Sequence, residues 1–197
     1  MKNVFKNWLA LGLATTILLA GTISVYAATK NPSFAVLSSF KNFNKIVVSG
    51  NVEVTLIQDV HDQVSIMNDY YPINVLLQEK KGLLHISNYN RAKLNVVIHL
   101  KNLSSLTVKD KSTVRTVGNF YLLNFDVDLR DQAKANIKAN TVNLTTHIAD
   151  QAQLILTGCT DQYDAKVEET AALNLNQFRA QHTNFSNEIT AYTQTYK

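Results

Sequence analysis

The sequence predicts an all-β chain, a right-handed parallel β-helix (β-solenoid) with coils of about 20 residues. Three observations carry that expectation. Four segments of the second half repeat one another: Val108-Lys-Asp110-Lys-Ser112-Thr-Val114, Leu129-Arg-Asp131-Gln-Ala133-Lys-Ala135, Ile148-Ala-Asp150-Gln-Ala152-Gln-Leu154 and Val167-Glu-Glu169-Thr-Ala171-Ala-Leu173. Their acidic residues stand 21, 19 and 19 positions apart. From Phe43 onward apolar residues recur at every second position, the period of a strand with one buried face. No stretch carries a helical stripe with caps at both ends.

At the N-terminus, Lys2 and Lys6 precede an apolar run from Trp8 to Ala20, and Val25-Tyr26-Ala27 offers a small-residue cleavage site. Residues 1–27 therefore read as a secretory signal peptide rather than a membrane span. An uncleaved N-terminal anchor is the alternative. The single cysteine, Cys159, lies far from the apolar run, so no lipid-bearing cysteine follows it. Export to the periplasm or the extracellular space is the expected location.

Residues 28–42 read as a loose leader and residues 43–197 as the β-helix domain. A chain of this length is able to bury one core. Its formal charge of +4 falls to +2 once Lys2 and Lys6 are set aside, too small a bias to predict nucleic-acid binding. A lone cysteine cannot staple the fold internally. Cys159 is expected to be a small buried hydrophobe, with an intermolecular disulfide or a reactive thiol as the minority reading.

Strands are expected at Ile46–Gly50, Val52–Leu56, Val64–Ile66, Val75–Leu77, Leu84–Ile86 and Leu94–Leu100. The turns between them fall at Gly50-Asn51, Gln58-Asp59, Asn68-Asp69 and Lys81-Gly82. In the repeats, the position two before each acid holds Val108, Leu129, Ile148 and Val167, and the position two after holds Ser112, Ala133, Ala152 and Ala171. Four after come Val114, Ala135, Leu154 and Leu173, and six after come Thr116, Ile137, Leu156 and Leu175. Small or apolar residues at alternate positions point into a common core. A slip of one residue would exchange the buried and solvated sets, so the register is well specified. A fifth, degraded copy runs through Phe185-Ser-Asn187-Glu-Ile189-Thr-Ala191, with Tyr192 and Tyr196 placed to cover the end of the stack.

The acidic column Asp110, Asp131, Asp150 and Glu169 has two readings. Stacked carboxylates about 5 Å apart are able to hold a cation such as calcium. The column also fits a structural turn, because Asp tolerates positive φ and hydrogen-bonds its own backbone. Lys109, Lys111 and Arg130 lie beside it and favour the turn reading, while Glu169 suits neither well.

Residues 40 to 191 are similar in pattern to the GIN-type domain of auto-transporter adhesin heads. The family's opening strand pair, F-x-x-I-x-V-x-G-x-x-x-V-x-L-x-Q, resembles the stretch from Phe43 through Ile46, Val48, Gly50, Val52, Val54 and Leu56 to Gln58. Its G-x-L-x-I segment resembles Gly82-Leu-Leu84-His-Ile86, and its V-x-I-x-L-x-x-L-x-x-L-x-V segment resembles Val96 to Val108. Family members carry a Ser-Gly-(Ala/Ser) turn where this chain has its acids, a change the fold tolerates at modest cost. The resemblance implies a parallel β-helix exported to the envelope and carries over no catalytic residue.

Motifs of catalysis are missing: there is no Gly-x-Ser-x-Gly, His-Glu-x-x-His, Gly-rich phosphate loop or Cys-x-x-Cys. His85 and His99 sit between apolar neighbours and should face outward as ordinary surface histidines rather than metal ligands. A carbohydrate-active β-helix enzyme would need carboxylates converging on the outer wall, for which Asp126, Asp128, Asp164 and Glu168 are the candidates. Asp126 and Asp128 should lie about 10 Å from Asp164, two coils away. The preferred expectation is non-catalytic: adhesion or ligand binding at the bacterial envelope or surface, without cofactor or metal. The binding wall is expected at Gln132, Lys134, Asn136, Gln151, Gln153 and Asn174, facing a polysaccharide or a surface protein. Self-assembly of the chain through its coil ends is the alternative from another class.

Overall fold

A computed structural model describes residues 35–37, 40–67 and 75–186, all within one compact unit, Asn31–Lys197. The expected signal peptide, most of the leader, the turn at Asn68-Asp69 and the tail bearing Tyr192 and Tyr196 lie outside the described residues. The described chain is all-β, with thirteen strands in one curled sheet. They are β1 (Ala35–Leu37), β2 (Lys45–Gly50), β3 (Val52–Gln58), β4 (Gln63–Ile66), β5 (Val75–Lys80), β6 (Leu83–Asn88), β7 (Leu94–Leu100), β8 (Ser105–Val108), β9 (Thr113–Val117), β10 (Phe120–Leu129), β11 (Lys134–Ile148), β12 (Gln153–Val167) and β13 (Ala172–Phe185). The strands expected from the alternation are all present, and β1 adds one inside the expected leader.

Most pairings are parallel. β10 runs beside β11 from Phe120↔Ala139 to Leu129↔Ile148, and β11 beside β12 from Lys134↔Gln153 to Ile148↔Val167. Each of these strands thus meets the residue 19 positions further along the chain. The period of the repeat is the register of the sheet. β12 and β13 keep that offset to Ile155↔Asn174 and then slip by one at a bulge, pairing Thr157 with Gln177.

Shorter strands build the first layers in pairs: β2/β3 joined through Asn51, β6/β7 through the loop 89–93 and β8/β9 through the turn 109–112. Their order in space is not their order in the chain. β2 lies between β6 and β8, and β3 between β7 and β9. The chain therefore lays β2/β3 first, departs through the antiparallel strands β4 and β5, builds β6/β7 on one side and returns to build β8/β9 on the other. The return is pinned where Ser104 N–H donates to the Asn44 carbonyl at 2.7 Å.

Inward positions of both arms form one core. Ile46, Leu84, Leu106 and Leu129 from one arm and Leu56, Leu94, Ile98 and Ile137 from the other are fully buried. Each such aliphatic contributes about 2 kcal/mol by leaving water. The repeat columns behave accordingly. Val108, Leu129 and Ile148 are buried, as are Ser112, Ala133 and Ala152, while Val167, Ala171, Leu173 and Leu175 of the last layer are half-buried. Ser112 tolerates its burial because its hydroxyl donates to the Gly50 carbonyl at 3.0 Å. The largest buried side chain, Tyr163, stacks edge-on against Phe178 and Phe185 and places its hydroxyl 3.0 Å from Thr146 Oγ1.

Gly50 has φ +83°, and a Cβ there would fall 2.1 Å from the Asn88 carbonyl oxygen. Gly118 has φ +79° with open space around it. In urea unfolding, Gly118→Ala should cost about 1 kcal/mol, the backbone penalty alone, and Gly50→Ala about 3 kcal/mol or more because backbone must move as well. Burial pushes the Tyr163 phenol up to about 12, against a small opposing effect of Thr146. The neutral phenol is the form the fold prefers, so stability should hold up to about pH 10 and fall between pH 10 and 12. Tyr163→Phe should flatten that fall while costing about 1 kcal/mol at pH 7 through the lost hydrogen bond.

Candidate functional site

Each layer turns its corner in the same place, and at three of these corners the turning residue is an aspartate. Asp110, Asp131 and Asp150 have φ of 59°, 61° and 56°, the left-handed region that short polar side chains tolerate best. Gly50 occupies the equivalent corner of β2/β3 with φ 83°. The corners are tied to one another. Gly50 N–H donates to Asp110 Oδ2 at 2.7 Å, Asp110 N–H to Asp131 Oδ2 at 3.1 Å, and Asp131 N–H to Asp150 Oδ2 at 3.0 Å. The next rung comes from Glu168, whose Oε2 accepts from Asp150 N–H at 3.4 Å. Glu169, the residue aligned with the column in sequence, lies in the turn without a positive φ. A glutamate one residue earlier reaches the same amide with its longer side chain.

Four carboxylates of this column thus face backbone donors. Among the described residues no group of three or more His, Cys, Asp or Glu side chains is arranged to hold a metal ion.

Beside the corners lies the outward face expected to bind. Gln132, Lys134, Asn136, Gln151, Gln153 and Asn174 are all exposed. Gln132 N–H donates to the Asp110 carbonyl and Gln151 N–H to the Asp131 carbonyl, so these two glutamines occupy equivalent places in successive corners. Lys134 is in register with Gln153, which puts them one strand apart, about 4.8 Å. Asn136 and Asn174 share a row but do not meet, because Ile155 stands between them. The same rows extend to Thr113 and Arg115 of β9.

The opposite ends of β10, β11 and β12 carry the acids considered as a catalytic set. Thr145 separates Asp126 from Asp164, each being its register partner. Asp164 accepts from Asn184 Nδ2 at 3.2 Å. Asp128 is held by Arg130 Nε at 3.1 and 3.2 Å and by His147 Nδ1 at 3.2 Å. His147 Nε2 lies 3.9 Å from Glu168 Oε1 and has no hydrogen-bond partner. The cluster of Asp128, Arg130, His147 and Glu168 escaped sequence reasoning, although the signal was there: Asp128 and His147 are one coil period apart.

The two strand histidines lie at outward positions, between buried neighbours, and are half-buried there. His99 Nδ1 lies 2.8 Å from Asp59 Oδ2. That hydrogen bond, aided by the Val60 N–H, holds the Asp59 carboxyl below the usual carboxylate value. Cys159 corrects an expectation: it is an exposed free thiol, not a buried hydrophobe. It falls on the outward side of the corner that follows Gly158, where its N–H and thiol both donate to Asn140 Oδ1, at 3.1 and 3.4 Å.

The family described as "Putative auto-transporter adhesin, head GIN domain" matches residues 42–193. The chain belongs to this family. Solved structures share the fold of this GIN-domain chain at low identity. A "putative adhesin" from Parabacteroides distasonis ATCC 8503 is 13% identical with a TM-score of 0.59, over 78% of this chain and 76% of that chain. A "putative adhesin" from Parabacteroides merdae ATCC 43184 is 11% identical with a TM-score of 0.60, over 78% and 76%. A "Putative lipid binding protein" from Parabacteroides distasonis ATCC 8503 is 10% identical with a TM-score of 0.56, over 79% and 78%. No curated protein matches the chain. Among the described residues of the GIN-domain chain, no helix is long and apolar enough to cross a membrane.

The corner ladder makes a prediction in which side-chain acceptor and backbone freedom separate. Asp131→Gly removes the acceptor of the Asp110 amide and should cost about 1 kcal/mol. Asp131→Ala loses the same bond and adds the left-handed penalty, so it should cost about 2 kcal/mol. Asp131→Asn keeps both features and should lie within about 0.5 kcal/mol of the parent in chemical unfolding. Equal losses for Gly and Ala would show that φ at this corner relaxes.

Proposed function

We propose that this GIN-domain chain is an exported, non-catalytic right-handed parallel β-helix that binds a polymer or partner at the bacterial envelope or surface. The helical reading is supported by parallel strands whose partners lie one repeat ahead, because a coil that advances by one layer per repeat produces that register. Right-handedness follows the rule for parallel crossovers. The envelope or surface location rests on the adhesin family and on the secretory character of residues 1–27.

The observation that carries the binding role is the exposed polar outward face. Gln132, Lys134, Asn136, Gln151, Gln153 and Asn174 stand exposed in successive layers, at spacings fixed by the strands beneath. An array of amides with one lysine, held on strands and corners, keeps its donors and acceptors ready, so less conformational entropy is lost when an extended partner lies across it. The family's description as an adhesin head, rather than as an enzyme, supports the non-catalytic reading. The test is retention of the purified chain on a panel of bacterial and host polysaccharides and envelope proteins. Retention on one class should drop about tenfold in the triple variant Gln132→Ala, Lys134→Ala, Gln151→Ala. Retention unchanged by that variant would move the site off this face.

One observation favours a second reading, self-association. β13 pairs only with β12 among the described residues, and its fourteen residues include one charged side chain, Arg179, and no proline. Edges so lightly protected pair readily with other strands. Mass in solution that rises with concentration would support that reading, and a constant monomer mass would remove it.

A further inference from the structure

The small net charge of the sequence hides a separation of charge between two outward faces. β9 and the first seven to nine residues of β11, β12 and β13 (134–140, 153–160 and 172–180) contain no aspartate or glutamate. Arg115, Lys134, Lys138 and Arg179 stand exposed on their outward side, and none of the four makes an ion pair among the described residues. Lys134 and Lys138 share one face of β11, about 13 Å apart, and Arg115 lies one strand over, beside Asn136. Around the far ends of β10, β11 and β12 the balance has the opposite sign, with Asp126, Asp128, Asp164 and Glu168 set against Arg130 and Lys166. One strand, β11, therefore has a cationic outer surface at its start and an acidic neighbourhood at its end.

We propose that the ligand of the binding face is an acidic polysaccharide, a polymer bearing carboxylates among its hydroxyls. The inference rests on the face being the binding site, and it adds the chemical class. Unpaired cations supply the attraction for carboxylates, and the corner acids beside the face, Asp131 and Asp150, are engaged by the backbone amides of Asp110 and Asp131. Asn136, Gln153 and Asn174 supply both donors and acceptors, which suits hydroxyls. The array repeats in step with the layers, so it matches a ligand that is itself extended and repetitive. Nucleic acid fits less well, because Tyr121, at the edge of this face beside Asn140, offers a single ring where stacking a strand needs a row of them. Four dispersed cations bind a polyanion weakly, so affinity comes from many units of one polymer meeting many copies of the chain.

The experiment measures retention of the full chain on polygalacturonate and on its methyl-esterified form, which keeps the backbone and hydroxyls but lacks the charge. Retention should be about tenfold stronger on the acid form, weaken as salt is raised, and fall about tenfold in Lys134→Gln/Lys138→Gln with thermal unfolding unchanged. Equal retention on the two forms, lost in Asn136→Ala/Gln153→Ala, would overturn the acidic class while leaving the binding face in place. Retention indifferent to both double variants would overturn the inference and the binding face together. Binding to single-stranded DNA as tight as to polygalacturonate would overturn the choice of polysaccharide.

Discussion

The corner at which each layer reverses is the constraint on which the rest of this structure depends. There the backbone must enter the left-handed region, and a donor on one corner must find an acceptor on the next. The aspartates meet both needs at once, with a side chain short enough to tolerate positive φ and a carboxylate placed to take the neighbouring amide. Because every corner is tied to the next, the register of the parallel strands is set at the turn and carried outward along them. A shift of one residue would both break the ladder and turn the apolar columns to solvent. Each layer alone buries too little to persist, so the ladder and the core are cooperative parts of one arrangement.

That register also creates the outer surface. Once inward positions are fixed by Leu129, Ala135, Ile137 and their counterparts, outward side chains have no freedom to choose their neighbours. Lys134 must stand beside Gln153, and Asp128 beside His147. The polar face and the acid–histidine cluster are both consequences of a 19-residue repeat acting on whatever residues occupy the exposed positions. Substitution at those positions leaves the core untouched, which is how a solenoid wall changes ligand without changing fold.

Much of the architecture was legible in the chain. Alternation placed the strands, the repeat period supplied the register, and the acids of the column marked the corners at Asp110, Asp131 and Asp150. Glu169 was misplaced by alignment, because spacing counts residues while a hydrogen bond counts atoms: the longer Glu168 side chain reaches the amide from one position earlier. Cys159 was misread for a different reason: free cysteines are commonly buried, and that preference was set above the alternation. Leu156 and Thr160 are buried and share one phase, so the unbroken alternation itself turns Cys159 outward.

The sequence by itself determined that this chain is all-β, which residues face inward in each repeat, and how far apart successive layers lie along the chain. These follow from local chemistry, the period-two alternation and the turn preferences of Asp and Gly. Only the tertiary structure decided the order of the first layers, in which β2/β3 sits between β6/β7 and β8/β9. Their strands have nearly interchangeable apolar patterns, so no local preference distinguishes one neighbour from another. The choice is made by long-range fits such as Gly50 against the Asn88 carbonyl and Ser104 on the Asn44 carbonyl, which exist only once the layers meet. The separation of charge between the two outward faces has the same origin: it belongs to the stacking of strands, and is invisible in a net charge summed along the chain.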